Sequence, residues 1–269
     1  MMELRAEAVG VLAECDAELK AQRSQALYAQ VQAGAFELDA RRQFELAAVG
    51  RPSRPALVEP RQLKARGLGT VQGRQSFIHA IAHIEFNAIN LAWDAVARYS
   101  EMPTEFYLDW ARVADDESRH FQMLRQRLRE LGADYGDMPA HNGLWEMAEN
   151  TAHSCTERMA LVPRVLEARG LDVTPAMIDK LLKLDDRATA DILVTILNEE
   201  VDHVAIGSRW YAWCCERQGL DAESHFFALV ERHALGAIRS PFNHAARAQA
   251  GFAAVELDWL DRTAEGARR

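Results

Sequence analysis

Residues 104–131 read TEFYLDWARVADDESRHFQMLRQRLREL, and the places of Glu117 and His120 in this stretch decide the fold class. At about 100° per residue, Phe106, Trp110, Val113, Phe121, Leu124, Leu128 and Leu131 fall on one face of a helix. Glu117 sits in the middle of that apolar stripe, and His120 lies within about 60° of it. A carboxylate centred on a core-facing stripe is costly unless it is paired or bound to metal. Residues 186–217, DRATADILVTILNEEVDHVAIGSRWYAWCCER, repeat the arrangement. Leu193, Ile196, Leu197, Val204, Gly207 and Tyr211 form the second stripe, with Glu200 central and His203 to one side.

Each Glu-x-x-His pair has a lone glutamate upstream. Helix 72–100 carries Ile78, Ile81, Ala82, Ala88, Ile89, Ala92 and Val96 on one face, with Glu85 at its centre, 32 residues before Glu117. Glu167 precedes Glu200 by 33 residues. The order is therefore Glu … Glu-x-x-His twice, at nearly equal pitch. One glutamate from each of two helices and one Glu-x-x-His from each of two others is the donor set of a carboxylate-bridged di-iron or di-manganese bundle. Carboxylates neutralise and bridge hard cations, and one imidazole per metal leaves positions open for water, oxygen or substrate. Glu149 and Glu157 lie on the same helix as Glu167, and Pro163 is placed to disturb its phase, so pitch is what favours Glu167.

The segments HAIAHIEFNAINLAWDA (79–95), DWARVADDESRHF (109–121), LVPRVLEARGLDVTP (161–175) and EEVDHVAIGSRW (199–210) resemble a bacterial ferritin-like family described chiefly as a domain of unknown function. The resemblance spans roughly residues 50–252. Glu85, Glu117, His120, Glu167, Glu200 and His203 fall where the ferritin-like superfamily places its metal ligands. A more distant relative by fold is the iron-dependent hydroxylase that modifies a tRNA base. The resemblance implies a di-metal bundle, and it names no substrate.

The rest of the chain reads as helices and junctions, an all-α ferritin-like four-helix bundle with additional N- and C-terminal helices. Residues 3–32 and 36–48 read as two N-terminal helices, followed by a Pro-, Arg- and Gly-rich linker. Together they make an N-terminal extension over 1–70, ahead of a bundle over 71–269. Further helices are expected at 104–131, 144–169 (Gly170 as its C′ residue), 174–184 (Pro175 at N1), 186–217 (closed by Gly219), 221–235 and 242–263. The four cysteines, Cys15, Cys155, Cys214 and Cys215, form no CxxC pair and no zinc spacing, which suits free thiols in the cytoplasm. The start lacks a signal-peptide pattern, and no apolar run is long enough to span a bilayer. A net charge of −9 argues against general nucleic-acid binding.

Other polar residues have ordinary readings. His79 and His83 stand more than 100° from Glu85 on their helix, which assigns them to the surface or to contacts behind the ligands. Arg51, Arg54, Arg61, Lys64, Arg66 and Arg74 make residues 51–74 basic; a strap along an acidic bundle is the simpler reading, and RNA the alternative partner. Arg239, Asn243 and Arg247 lie in and around the SPFN turn and are candidates for reaching a substrate. The function expected is a di-iron carboxylate oxidoreductase that hydroxylates or oxidises an organic substrate with oxygen, drawing on an electron donor. The alternative is an iron-handling ferroxidase with no organic substrate. Two iron ions are the expected cofactors, with manganese in their place as the other option, and a homodimer is compatible with the chain.

Overall fold

A computed structural model of the chain describes residues 2–63 and 67–266. Lys64 and Arg66 of the basic segment lie outside the described residues. Among the described residues the regular structure is helical apart from one short two-stranded pairing and an isolated Leu57–Ala140 bridge. By contacts it divides into two compact units, Met1–Trp145 and Glu146–Arg269. Among the described residues, no helix is long and apolar enough to cross a membrane.

The first unit contains α1 (Leu4–Ala13), α2 (Ala17–Gln32), α3 (Val71–Arg98) and α4 (Thr104–Glu130). Helix α3 starts where Thr70 caps the Gly73 N–H, and α3 and α4 pack along their whole length. Their facing stripes bury Ile78, Phe86, Ile89 and Trp93 against Phe106, Phe121, Leu124 and Leu128. Full burial of a side chain of this size contributes about 1.5–3 kcal/mol. Helix α2 pins the pair: Ser24 donates to the Ala114 carbonyl (3.0 Å) and accepts from the Trp93 indole (2.7 Å).

Two N-terminal expectations differ from the structure. The helix expected over 3–32 breaks at Glu14–Asp16, because Asp16 is an N-cap whose side chain accepts from the Leu19 N–H. The helix expected over 36–48 does not form. Phe36–Glu37 pairs in parallel with Met2–Glu3, and the chain beyond wraps the buried Arg5 guanidinium. That guanidinium takes the carbonyls of Asp39 and Arg42, which a helix over 36–48 would have drawn into its own bonding, together with those of Val96 and Ala97 in the last turn of α3.

Helix α5 (Gly143–Asn150) leads into the second unit, where α6 (Cys155–Leu161) runs through a π-helical turn, Val162–Glu167, into α7 (Ala168–Lys183). Gly170 and Pro175, expected to end one helix and begin another, both lie inside this continuous rod. Pro175 has no N–H to offer the Leu171 carbonyl, and Asn243 Nδ2 donates to that carbonyl instead (3.2 Å). Helix α8 (Arg187–Gln218) is capped by Asp186 and closed by Gly219 in the left-handed conformation (φ 66°), as its sequence reads. Helix α9 (Ala222–His233) follows. The last expected helix is divided by Gly251 (φ 87°) into α10 (His244–Gln249) and α11 (Ala254–Gly266).

Candidate metal centre

Helices α3 and α4 bring together Glu85, Glu117 and His120. One ligand atom from each lies within 4.8 Å of the other two. His120 Nδ1 stands 3.2 Å from Glu85 Oε2 and 3.4 Å from Glu117 Oε2. All three side chains are buried, with 4%, 1% and 0% exposure. Burial drives the Glu85 carboxyl well above the usual carboxylate range, and the neighbouring Glu117 charge raises it further; hydrogen bonding to His120 only partly opposes this. Two carboxylates enclosed this way carry negative charge that a divalent cation would balance.

The second unit carries the matching residues on different backbone. Glu200 and His203 lie one turn apart on α8, with His203 Nδ1 3.7 Å from Glu200 Oε1. His203 is fully buried, and the Glu200 side chain is 12% exposed. Glu167 is half-buried at the end of the π-helical turn. The Ala168 N–H there reaches back five residues to the Pro163 carbonyl, the bond that defines this wider turn. Helix α8 meets the turn closely: a Cβ on Gly207 would lie 2.4 Å from Pro163 Cβ and Cγ. Arg164 anchors the turn through two bonds to Glu256 (2.8 and 2.9 Å), with its guanidinium between Phe226 and Phe252.

Neither His79 nor His83 joins the ligand group of α3 and α4, and neither is on the surface; they are 1% and 4% exposed. The loop after α4 folds over them, so that His79 Nε2 accepts from the Gly136 N–H (2.9 Å) and His83 Nδ1 meets the Tyr135 hydroxyl (2.9 Å). Burial pushes His79 down to about 4 and His83 to about 3, so both are neutral at physiological pH. Tyr135 is a contact that the periodic reading missed; its only local sign is the turn glycines Gly132 and Gly136 on either side, both at positive φ. Arg247 and Asn243 are committed to packing. Arg247 is buried in a bidentate pair with Asp172 (2.9 and 2.7 Å), and Asn243 caps α10. Tyr211 bonds the Ala222 carbonyl and stacks on His225, which ties α8 to α9.

Fold and side chains together define an all-helical protein with a buried carboxylate–histidine group able to hold a metal ion. The chain belongs to the family described as Protein of unknown function (DUF455), whose model matches residues 13–258. An uncharacterized protein of Haemophilus influenzae (strain ATCC 51907 / DSM 11121 / KW20 / Rd) is 47% identical over 216 residues, covering 78% of this chain and 75% of that one. No solved structure matches the chain.

Proposed function

We propose that the chain is a ferritin-like di-metal carboxylate oxidoreductase that uses iron, and oxygen as oxidant, to hydroxylate or oxidise an organic substrate. Glu85, Glu117 and His120 with Glu167, Glu200 and His203 would hold two metal ions. The observation that carries this reading is the buried Glu85–Glu117–His120 group, with its Glu85 carboxyl forced toward the protonated form. Its oxygen-rich donor set with one imidazole suits iron or manganese and is poor for soft thiophilic metals. Bound there, the ions supply Lewis-acid and redox chemistry with coordination positions to spare.

The chain's own residues prepare the site. Glu85 holds a proton while the site lacks a cation, and releases it when a cation takes its place. His120 directs Nδ1 at both carboxylates, so the ring and the two glutamates would hold an ion together. Phe86 and Phe121, each fully buried and packed together, exclude water from the α3–α4 seam.

Metal analysis of protein grown with iron is expected to find about two ions per chain. Glu117→Ala and Glu200→Ala each lower that content sharply, and His79→Ala keeps it. A protein that is stable, folded and metal-free after iron reconstitution would sink the reading. Ferrous oxidation continuing well beyond the bound pair would move the assignment to iron handling.

A further inference from the structure

A second site lies on the other side of α3. A cavity of about 580 Å³ opens in the first unit, within the roughly 300–1,000 Å³ typical of small-molecule pockets. Ser76, Ala80, His83, Ile84 and Asn87 form its α3 wall, a stripe centred about 140° around the helix from Glu85. The cavity therefore stands apart from the metal ligands. Phe77, Met138 and Leu144 make most of the remaining surface apolar, and Ile84 is 45% exposed although it is a large aliphatic residue on a long buried helix.

Three polar side chains of the lining, Gln62, Asn87 and His141, have acceptor atoms that are already used. Gln62 Oε1 accepts from the Glu59 N–H (2.9 Å), His141 Nδ1 from the Gly143 N–H (3.2 Å), and Asn87 Oδ1 from the Arg51 guanidinium (2.9 Å). What they have left to offer a ligand is donors. A neutral imidazole that accepts at Nδ1 carries its proton on Nε2, and each amide keeps its NH₂. One Asn87 proton goes to the His83 carbonyl (2.8 Å), leaving the other. Among the described residues, no Asp or Glu lines the cavity. The acids of the adjoining loop are engaged elsewhere, Asp134 with Arg125 (2.7 Å) and Asp137 near Arg54 (3.6 Å). Arg51 stands behind Asn87 and packs on Trp145, adding positive charge to the polar end.

We propose that this cavity binds a small organic monocarboxylate, with its apolar body against Phe77, Ala80 and Ile84 and its carboxylate on the donor ends of Gln62, Asn87 and His141. A carboxylate accepts several hydrogen bonds and donates none, which matches a wall of donors beside a guanidinium. The inference stands independently of the metal assignment.

Calorimetric titration of the full chain with octanoate and with 2-naphthoate tests it, with octanol and 2-naphthol as uncharged controls. Saturable binding of one carboxylate per chain is expected, at least about tenfold tighter than its control, the scale of one charge-assisted hydrogen bond. Gln62→Glu keeps the acceptor that serves the Glu59 N–H and replaces the donor end with an oxygen; it is expected to weaken the carboxylate by a similar factor and leave the control unchanged. Ala80→Trp, at an exposed position, fills the cavity and is expected to abolish both. Helicity and metal content are expected to stay at the parent level in both variants. Absence of saturable binding by both acids, equal affinity for acid and control, or undiminished binding in Ala80→Trp would each overturn the proposal.

Discussion

Both units hold a buried carboxylate on arginine, Asp94 on Arg98 in the first and Glu256 on Arg164 in the second, and they differ in how other buried charges are met. In the second, the buried carboxylates Glu256 and Asp172 are each met by a guanidinium, Arg164 through Nη2 alone and Arg247 through two nitrogens. In the first, the buried cations Arg5 and Lys20 bind mainly carbonyls: Arg5 gathers four, and Lys20 holds Leu12 O, Gly50 O and Asn90 Oδ1. The carboxylates of Glu85 and Glu117 meet each other and His120. A carboxylate committed to arginine fastens segments of chain together. Two carboxylates enclosed with an imidazole make a place for a cation, because their repulsion is relieved only by a proton or a metal.

That contrast can be broken by substitution, and the largest effect belongs to the second unit. Glu256→Gln leaves the Arg164 charge buried without its counter-ion, and is expected to cost about 3–5 kcal/mol in denaturant unfolding. Gly207→Ala pushes a methyl into Pro163 and is expected to cost about 1–3 kcal/mol; because the overlap falls on the π-helical turn, metal content should fall as well if Glu167 is a ligand. Glu85→Gln is expected to have the opposite sign from Glu256→Gln, stabilising the metal-free chain by on the order of 1 kcal/mol above the ordinary carboxylate range, since the amide is neutral without having to take up a proton beside Glu117. Equal destabilisation by Glu85→Gln and Glu256→Gln would erase the distinction between the two units.

Two pH profiles sharpen it further. Glu85 has a raised folded-state pKa, so its stabilising contribution is complete below the ordinary carboxylate range and is lost as pH rises toward the raised value. Thermal melting of metal-free protein should therefore weaken as pH climbs above about 4.3, and Glu85→Gln or metal loading should flatten the trend. Lys20 is lowered from 10.5 to about 7, mainly by burial and then by Arg51. A depressed lysine contributes stability above its unfolded pKa that declines as pH falls toward its folded value. Parent protein should accordingly lose stability relative to Lys20→Met as pH falls from about 10.5 to about 7.

Much of the helical layout was legible because helix phase is local. The stripes around Glu85 and Glu117 are buried as read apart from the half-buried Ile81 and Leu131, and α3, α4 and α8 begin and end within two residues of the bounds expected for them. The Glu85–Glu117–His120 group was legible for the same reason, since one central residue on each of two facing stripes must meet at their seam. The misread segments have distant partners. Residues 36–48 are held extended by Arg5, and His79 and His83 are covered by a loop that arrives after α4.

The sequence by itself determined the helical class, the order Glu … Glu-x-x-His repeated at a pitch of 32 and 33 residues, and the helix faces on which those residues stand. Tertiary structure decided whether 155–183 would be two helices or one, and how Glu167 is presented. Gly170 and Pro175 are local signals to stop and start a helix. They are overruled by an Asn243 bond from 72 residues away and by a proline-fitted π turn against Gly207. Local spacing sets which side of a helix a residue faces. The hydrogen bonds that keep a backbone helical through a proline come from elsewhere in the fold, where spacing carries no record of them.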